Sequence, residues 1–209
     1  MIAIVDYGRG NLGSVERLFR DVGVPAVVTQ DARTVDGADA VVFPGDGAFH
    51  DAMASLRDLG LLDPVRRALD GRRPFLGICI GYQLLFSTSE EFGDGRGLDV
   101  ISGVVRRFPP GLDVPHMGWN RVWHGGALRL FDGIEDGARF YFVHSYFPVV
   151  ADARSSGPGL SQAWCDYGIR FAAAIESGRI CATQFHPEKS QAAGIRLLKN
   201  FAAIVKEPR

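Results

Sequence analysis

Apolar positions along the chain follow two alternating periods. Ile2 to Val5 is a short β-type run, after which Leu12, Val15, Leu18, Phe19 and Val22 recur at helical spacing and Gly23 closes the helix. Ala26 to Thr29 and Ala40 to Phe43 read as further strands. Pro44-Gly45-Asp46-Gly47 turns the chain into a helical stretch holding Met53, Leu56 and Leu59, and Leu62 to Leu69 is another helix. Phe75 to Ile78 is an apolar run after a proline, as expected of a buried strand, and Ile80 to Phe86 reads as the start of a helix. Strands alternating with helices imply crossover connections and a parallel sheet.

From about Val100 the pattern changes. Val104-Val105, Gly118 to Trp123, Phe140 to Tyr146 and Gln162 to Cys165 are short strand-like pieces separated by turns, which predicts an antiparallel β section. Arg179 to Phe185 is a further strand. Ser190 to Lys206 carries Ile195, Leu198, Phe201 and Val205 at helical spacing, with Ser190 as the expected N-cap. The fold expected is therefore α/β: an open, mostly parallel sheet flanked by helices, with an antiparallel β section attached. Asp152 to Gly159 is the most linker-like piece, but it does not coincide with a composition change, so residues 1–209 read as a single domain.

Composition narrows the function classes. A hydrophobic content of 46% in 209 residues can fill one α/β core. A net charge of −1 gives no bulk attraction to nucleic acid or to an anionic membrane. No apolar run approaches a transmembrane length, and the start, Met1 to Asp6, lacks the basic region of a signal peptide. The three cysteines, Cys79, Cys165 and Cys181, are an odd count without paired spacing. That argues against a disulfide framework and a cysteine-based zinc site, and makes a reducing cytoplasm the simplest compartment. No metal or cofactor site is indicated. Gly8, Gly10 and Gly13 follow a strand and open a helix, but a lone Gly-x-Gly-x-x-Gly is a weak sign of a dinucleotide loop.

The chemistry concentrates in two places. Gly77-Ile78-Cys79-Ile80-Gly81 flanks a thiol with glycines at a strand-to-helix turn, where the backbone is strained and neighbours come close. Such a turn exposes the thiol at the carboxyl end of the strand. It places Cys79 at the start of a helix, where a thiolate is favoured, and aims the backbone N–H of Ile80 at a nascent oxyanion. The second place is Gln184-Phe185-His186-Pro187-Glu188. His186 follows a strand, and Glu188 is close enough to bind one ring nitrogen while the other faces Cys79, giving a nucleophile, a base and an orienting carboxylate.

These residues resemble the class I (triad) glutamine amidotransferases. Gly77 to Gln83 together with His186-Pro187-Glu188 carries the general match. Asp6-Tyr7-Gly8-Arg9-Gly10-Asn11-Leu12, Pro115-His116-Met117-Gly118-Trp119-Asn120, Tyr141 to Tyr146 and His186 to Ser190 make the chain look most like the glutaminase subunits of imidazole glycerol phosphate synthase, over essentially its whole length.

The resemblance implies that Cys79 attacks the side-chain amide of glutamine, that His186 moves the proton, and that Glu188 holds the imidazole. It implies an oxyanion site from the backbone of Ile80 and of the turn at Asp46 and Gly47. It implies substrate contacts at Gln83, Glu91, Ser145 and Tyr146. The implied partner is a cyclase subunit of (β/α)8-barrel fold that receives the ammonia, with Asn11, Trp119, Tyr141 and Lys189 at the interface. Read as residues alone, Trp119 and Tyr141 fit the core of the β section equally well, and Glu91 fits an exposed acid. Another amidotransferase partner, a stand-alone cysteine hydrolase and a silent scaffold for a barrel protein are the rival readings.

Three positions depart from the commonest pattern of that family. Tyr82 stands where Met is usual and is expected to repack the pocket wall. Asp46 replaces an apolar residue and is expected to point to solvent or toward a partner. Arg9 replaces an apolar residue in the first loop.

Overall fold

The computed structural model describes residues 1–70, 73–151 and 159–207. The linker-like segment at Asp152 to Gly159 therefore lies outside the described residues except for Gly159.

The first part of the chain builds as its periodicity requires. Strands β1 (Ile2–Val5), β2 (Ala26–Thr29), β3 (Ala40–Phe43) and β4 (Phe75–Ile78) alternate with helices α1 (Leu12–Asp21), α2 (Ala32–Gly37), α3 (Phe49–Asp58) and α4 (Leu62–Leu69). β1, β3 and β4 are buried at every position, as strands covered on both faces must be. Their period of two divides the interior into two cores. Ile2, Ile4, Val42, Leu76 and Ile78 face one side, with Val15, Phe19 and Phe201. Ala3, Val5, Val41, Phe43 and Phe75 face the other, with Phe49, Leu56 and Val65.

A one-turn helix, α5 (Ile80–Gln83), follows β4, and the chain then enters β5 (Phe86–Ser89), β6 (Gly95–Arg96) and β7 (Ile101–Arg107). The helix expected from Ile80 to Phe86 thus stops early. The carbonyl of Leu84 accepts from Leu98 N–H (2.8 Å) and that of Leu85 accepts from Val100 and Ile101 N–H (2.9 Å each), so they are committed outside the helix.

The remaining strands are β8 (His116–Val122), β9 (Ala138–His144), β10 (Tyr146–Val150), β11 (Leu160–Tyr167), β12 (Ile169–Ser177) and β13 (Ile180–Thr183), before α6 (Gln191–Lys206). The main sheet has seven strands in the order β11-β12-β13-β4-β3-β1-β2. Its five strands from β13 to β2 pair in parallel, whereas β11 and β12 pair antiparallel at one edge. The expected antiparallel section is thus distributed over this edge, a four-stranded sheet (β10-β7-β5-β6) and the separate β8-β9 pair. Within the four-stranded sheet β5 and β7 run parallel.

Ser190 does not cap α6 with its side chain. Its hydroxyl donates to the His186 carbonyl (2.6 Å) and accepts from Tyr141 N–H (3.0 Å), fastening the turn after β13 to β9. α6 approaches that turn closely, for a Cβ on Gly194 would sit 1.9 Å from the Pro187 carbonyl oxygen. β9 and α6 therefore both hold the segment His186 to Glu188.

Candidate active site

The carboxyl ends of β3, β4 and β13 meet because these strands are neighbours in the parallel part of the sheet. Ile78 is opposite Thr183, and Cys79 N–H donates to the Thr183 carbonyl (2.8 Å), so the ladder continues one residue past β4. There the chain turns sharply. Cys79 has φ of 54°, a conformation strained for any residue with a side chain. Glycine is required on both flanks by packing: a Cβ on Gly77 would lie 2.6 Å from the Gly81 carbonyl oxygen, and one on Gly81 would lie 1.9 Å from that of Phe43.

His186 follows β13 and is buried. Its Nδ1 lies 2.7 Å from Glu188 Oε1. The carboxylate can only accept, so Nδ1 carries hydrogen and Nε2 is the reactive nitrogen. Nε2 makes no well-formed hydrogen bond among the described residues, but the Cys79 sulfur lies close enough to act on it. Burial disfavours the charged ring, but the Cys79 sulfur and the Glu188 carboxylate outweigh it, and the pKa rises to about 10. The other two thiols are held protonated: burial pushes Cys165 up to about 12 and raises Cys181 further. All three cysteines are unpaired.

A cleft of about 360 Å³ opens over Cys79. Of the residues singled out from the sequence, Asp46, Gly47, Ile80, Gln83 and Glu91 line it with Cys79. Ser145, Tyr146 and Lys189 line it as well. Glu91 is half-buried, and its Oε2 accepts from the N–H of Phe49 (2.7 Å). Gln83 is buried and donates to the Tyr146 carbonyl (3.0 Å).

Two expectations are corrected here. Tyr82 is fully buried among Phe86 and the Ala172 carbonyl, with its hydroxyl 3.3 Å from that carbonyl. It belongs to the core beneath the sheet and not to the cleft wall, because α5 is a single turn that rolls this position inward. Asp46 is half-exposed to solvent, as expected, but does not point clear of the site: its Oδ1 is 3.8 Å from His186 Nε2. The turn is pinned there because the Tyr7 hydroxyl donates to the Asp46 carbonyl (2.7 Å) and Gly45 packs so tightly that a Cβ would lie 2.1 Å from that hydroxyl. Arg9 forms an ion pair with Asp51 (3.0 Å) and lies over Gly47.

Asn11, Trp119 and Tyr141 lie outside the cleft. Trp119 and Tyr141 are cross-strand partners on β8 and β9 with ring centroids 6.0 Å apart. Trp119 is 42% exposed and Met117, two residues earlier on the same face, is 65% exposed, so this is an apolar surface and not core. Asn11 is exposed at the start of α1.

Sequence reasoning missed three features of the site. Pro115 and Val143 also line the cleft. A buried histidine pair meets it, with His144 in the lining: His144 Nδ1 is 2.7 Å from the Tyr146 carbonyl, and His144 Nε2 is 2.9 Å from His116 Nδ1. Both occur in the motif blocks, but nothing in their spacing announces that they touch. Burial lowers the pKa of His116 to about 4 and of His144 to about 3, so both are neutral.

The chain resembles known proteins along its full length. Residues 3–205 match the family model described as glutamine amidotransferase class-I. The protein named imidazole glycerol phosphate synthase subunit HisH from Geobacter metallireducens is 50% identical over 208 residues, covering 96% of this chain and 97% of that one. The protein of the same name from Methanothermobacter thermautotrophicus is 48% identical over 206 residues, covering 99% and 100%. A crystal structure described as a glutamine amidotransferase superposes with a TM-score of 0.73 at 20% identity, covering 99% of both chains, which shows a shared fold.

The neutral histidine pair has a consequence for acid stability. A pKa held below its unfolded value of 6.5 contributes stability that is fully present above that pH and is lost as pH falls toward 4. Urea unfolding should show stability lost as pH falls from 6.5 toward 4, by up to roughly 3 kcal/mol for each of the two rings. A His116→Gln variant should have a clearly shallower slope; an unchanged slope would contradict the assignment.

Proposed function

Since the chain belongs to the class I glutamine amidotransferase family, and within it to the HisH subunits, we propose that Cys79, His186 and Glu188 carry its reaction. The chain is the glutaminase subunit of imidazole glycerol phosphate synthase in histidine biosynthesis. The observation that carries the residue assignment is the 2.7 Å contact between His186 Nδ1 and Glu188, which turns Nε2 over to the proton chemistry, with the Cys79 sulfur near enough to raise the ring's pKa.

The Cys79 sulfur attacks the side-chain amide carbon of glutamine with its proton already held on His186 Nε2, where the ring's raised pKa keeps it. Backbone N–H groups of Ile80 and of the Asp46-Gly47 turn hold the oxyanion. His186 returns the proton to the amide nitrogen, the C–N bond breaks, and ammonia leaves a glutamyl thioester. Water then attacks the thioester carbon, giving its proton to His186, which restores it to sulfur as glutamate departs. Glu188 keeps the ring in the working tautomer and steadies its charge. In the cleft, the carboxylate of Glu91 pairs with the α-ammonium group, and Gln83 with the backbone at Ser145 and Tyr146 forms the rest of the glutamine site.

Ammonia is consumed by a second chain, a cyclase subunit of (β/α)8-barrel fold. The exposed Met117 and Trp119, flanked by Tyr141, support a docking face on β8 and β9, to which the interface role of Asn11 and Lys189 adds. We place the complex in the cytoplasm, where a reducing medium keeps Cys79 a thiol. Among the described residues no helix is long and apolar enough to cross a membrane.

Glutamate release from glutamine by the pure chain should be slow, and should rise at least tenfold when a cyclase subunit and its ribotide ligand are added, an increment worth ~1.4 kcal/mol of barrier. Full activity of the chain alone would mark a stand-alone hydrolase instead. Asp46 sets part of the resting rate, because its carboxylate lies 3.8 Å from His186 Nε2 and adds to the hold on the proton that this ring must give to the leaving nitrogen. Asp46→Asn should raise the rate of the chain alone by roughly three- to tenfold, the effect of a half-exposed charge; an unchanged rate would show that the carboxylate swings clear.

A further inference from the structure

Gln184 has no role in the reaction as described so far. It is fully buried immediately after β13, between Gln83 and Cys79. One end of its amide lies 3.1 Å from the Gln83 amide nitrogen, and the other lies 3.7 Å from Cys79 Sγ. The two ends of a glutamine amide are alike in shape, so their direction must be deduced from a partner that can play a single part.

The Tyr146 carbonyl is such a partner, since it can only accept. The Gln83 atom 3.0 Å from it is therefore the NH2 group. That group's second hydrogen points at Gln184, 3.1 Å away, which requires an oxygen there. Gln184 must then present its own NH2 to the sulfur.

The same carbonyl fixes a second branch. His144 Nδ1, 2.7 Å from it, must carry hydrogen, so in the neutral ring Nε2 is bare. His116 Nδ1, 2.9 Å away, therefore donates, and His116 Nε2 is left to accept. It faces the Asn120 amide nitrogen at 3.2 Å. Asn120 supplies an independent check, because the same nitrogen lies 3.0 Å from the Asp166 carbonyl, another pure acceptor. Both ends of the network demand the same polarity.

We propose that Gln184 is a further catalytic residue, which donates a hydrogen bond from its side-chain NH2 to the Cys79 sulfur and stabilises it as thiolate. The Tyr146 carbonyl, itself held by His144, sets the direction of that donation through Gln83. The bond favours the sulfur whenever it is negative, before attack and again when the thioester is hydrolysed. It costs nothing at the moment of reaction, because Gln184 is already oriented and buried. The proposal rests on Cys79 being the nucleophile.

The test is the pH dependence of Cys79 alkylation by iodoacetamide in the full chain, read peptide by peptide by mass spectrometry so that Cys165 and Cys181 are counted separately. Gln184→Met removes the donor without adding charge, and Gln184→Glu puts an anion beside the sulfur. At pH 7 the Cys79 rate should fall roughly tenfold in the Met variant and further in the Glu variant, with both profiles moved to higher pH. A structural role alone would leave the profile in place. If either variant melts cooperatively like the parent and alkylates Cys79 along the parent's profile, the proposal is overturned. Alkylation of the parent's Cys79 should separately abolish glutamine hydrolysis; retained hydrolysis would overturn the nucleophile assignment itself.

Discussion

The parallel pairing of β4 with β13 is the constraint on which the site depends. It sets Ile78 beside Thr183 and lets one further bond, from Cys79 N–H to the Thr183 carbonyl, carry the register past the end of β4. Everything after that bond is a turn. On one strand the chain folds back over Gly81 with Cys79 at positive φ; on the other it runs on to His186. The strain at Cys79 is tolerated because the ladder holds one side of it, while the Gly77, Gly81 and Phe43 backbones close the other. Two residues far apart in sequence are thereby brought to the carboxyl ends of neighbouring strands by the sheet.

Polarity is imposed on the cleft by groups that can only accept. The Glu188 carboxylate decides which nitrogen of His186 carries hydrogen. The Tyr146 carbonyl decides the tautomers of His144 and His116 and the direction of the Gln83 and Gln184 amides. Because these groups are buried, reversing any of them would leave a donor facing a donor, at a cost of ~1–3 kcal/mol each. The cleft is thus oriented before glutamine arrives, and the proton path of the proposed reaction needs no rearrangement of the residues behind it. Asp46 is the exception. It is a half-exposed carboxylate on a glycine-flanked turn, 3.8 Å from the ring nitrogen that moves the proton, and no pure acceptor behind the cleft fixes its direction.

Much of this was legible in the residues. Short apolar runs located β1 to β4 and helical spacings located α1, α3, α4 and α6, because the strands are apolar on both faces and the helices bury a regular stripe. β12 escaped: Phe171 to Ile175 is a run of mostly small apolar residues, without the branched or alternating pattern that marks a strand. The length of α5 was misread because its end is set by distant N–H groups at Leu98 to Ile101, which no local pattern reveals. Cys79, His186 and Glu188 stood out by their flanking residues. Gln184 and the histidine pair did not, since their geometry arises from contacts between elements far apart in the chain. Asp46 was noticed as unusual, yet its direction depends on the Tyr7 hydroxyl that pins its carbonyl.

The most direct test of the central claim, that the sheet places Cys79 alone among the thiols to attack a glutamine amide, is covalent labelling with a diazoketone analogue of glutamine. The account predicts one adduct per chain, on the peptide containing Cys79, suppressed by excess glutamine and absent from a Cys79→Ser variant. Labelling at Cys165 or Cys181, or labelling of Cys79 that glutamine does not suppress, would contradict it.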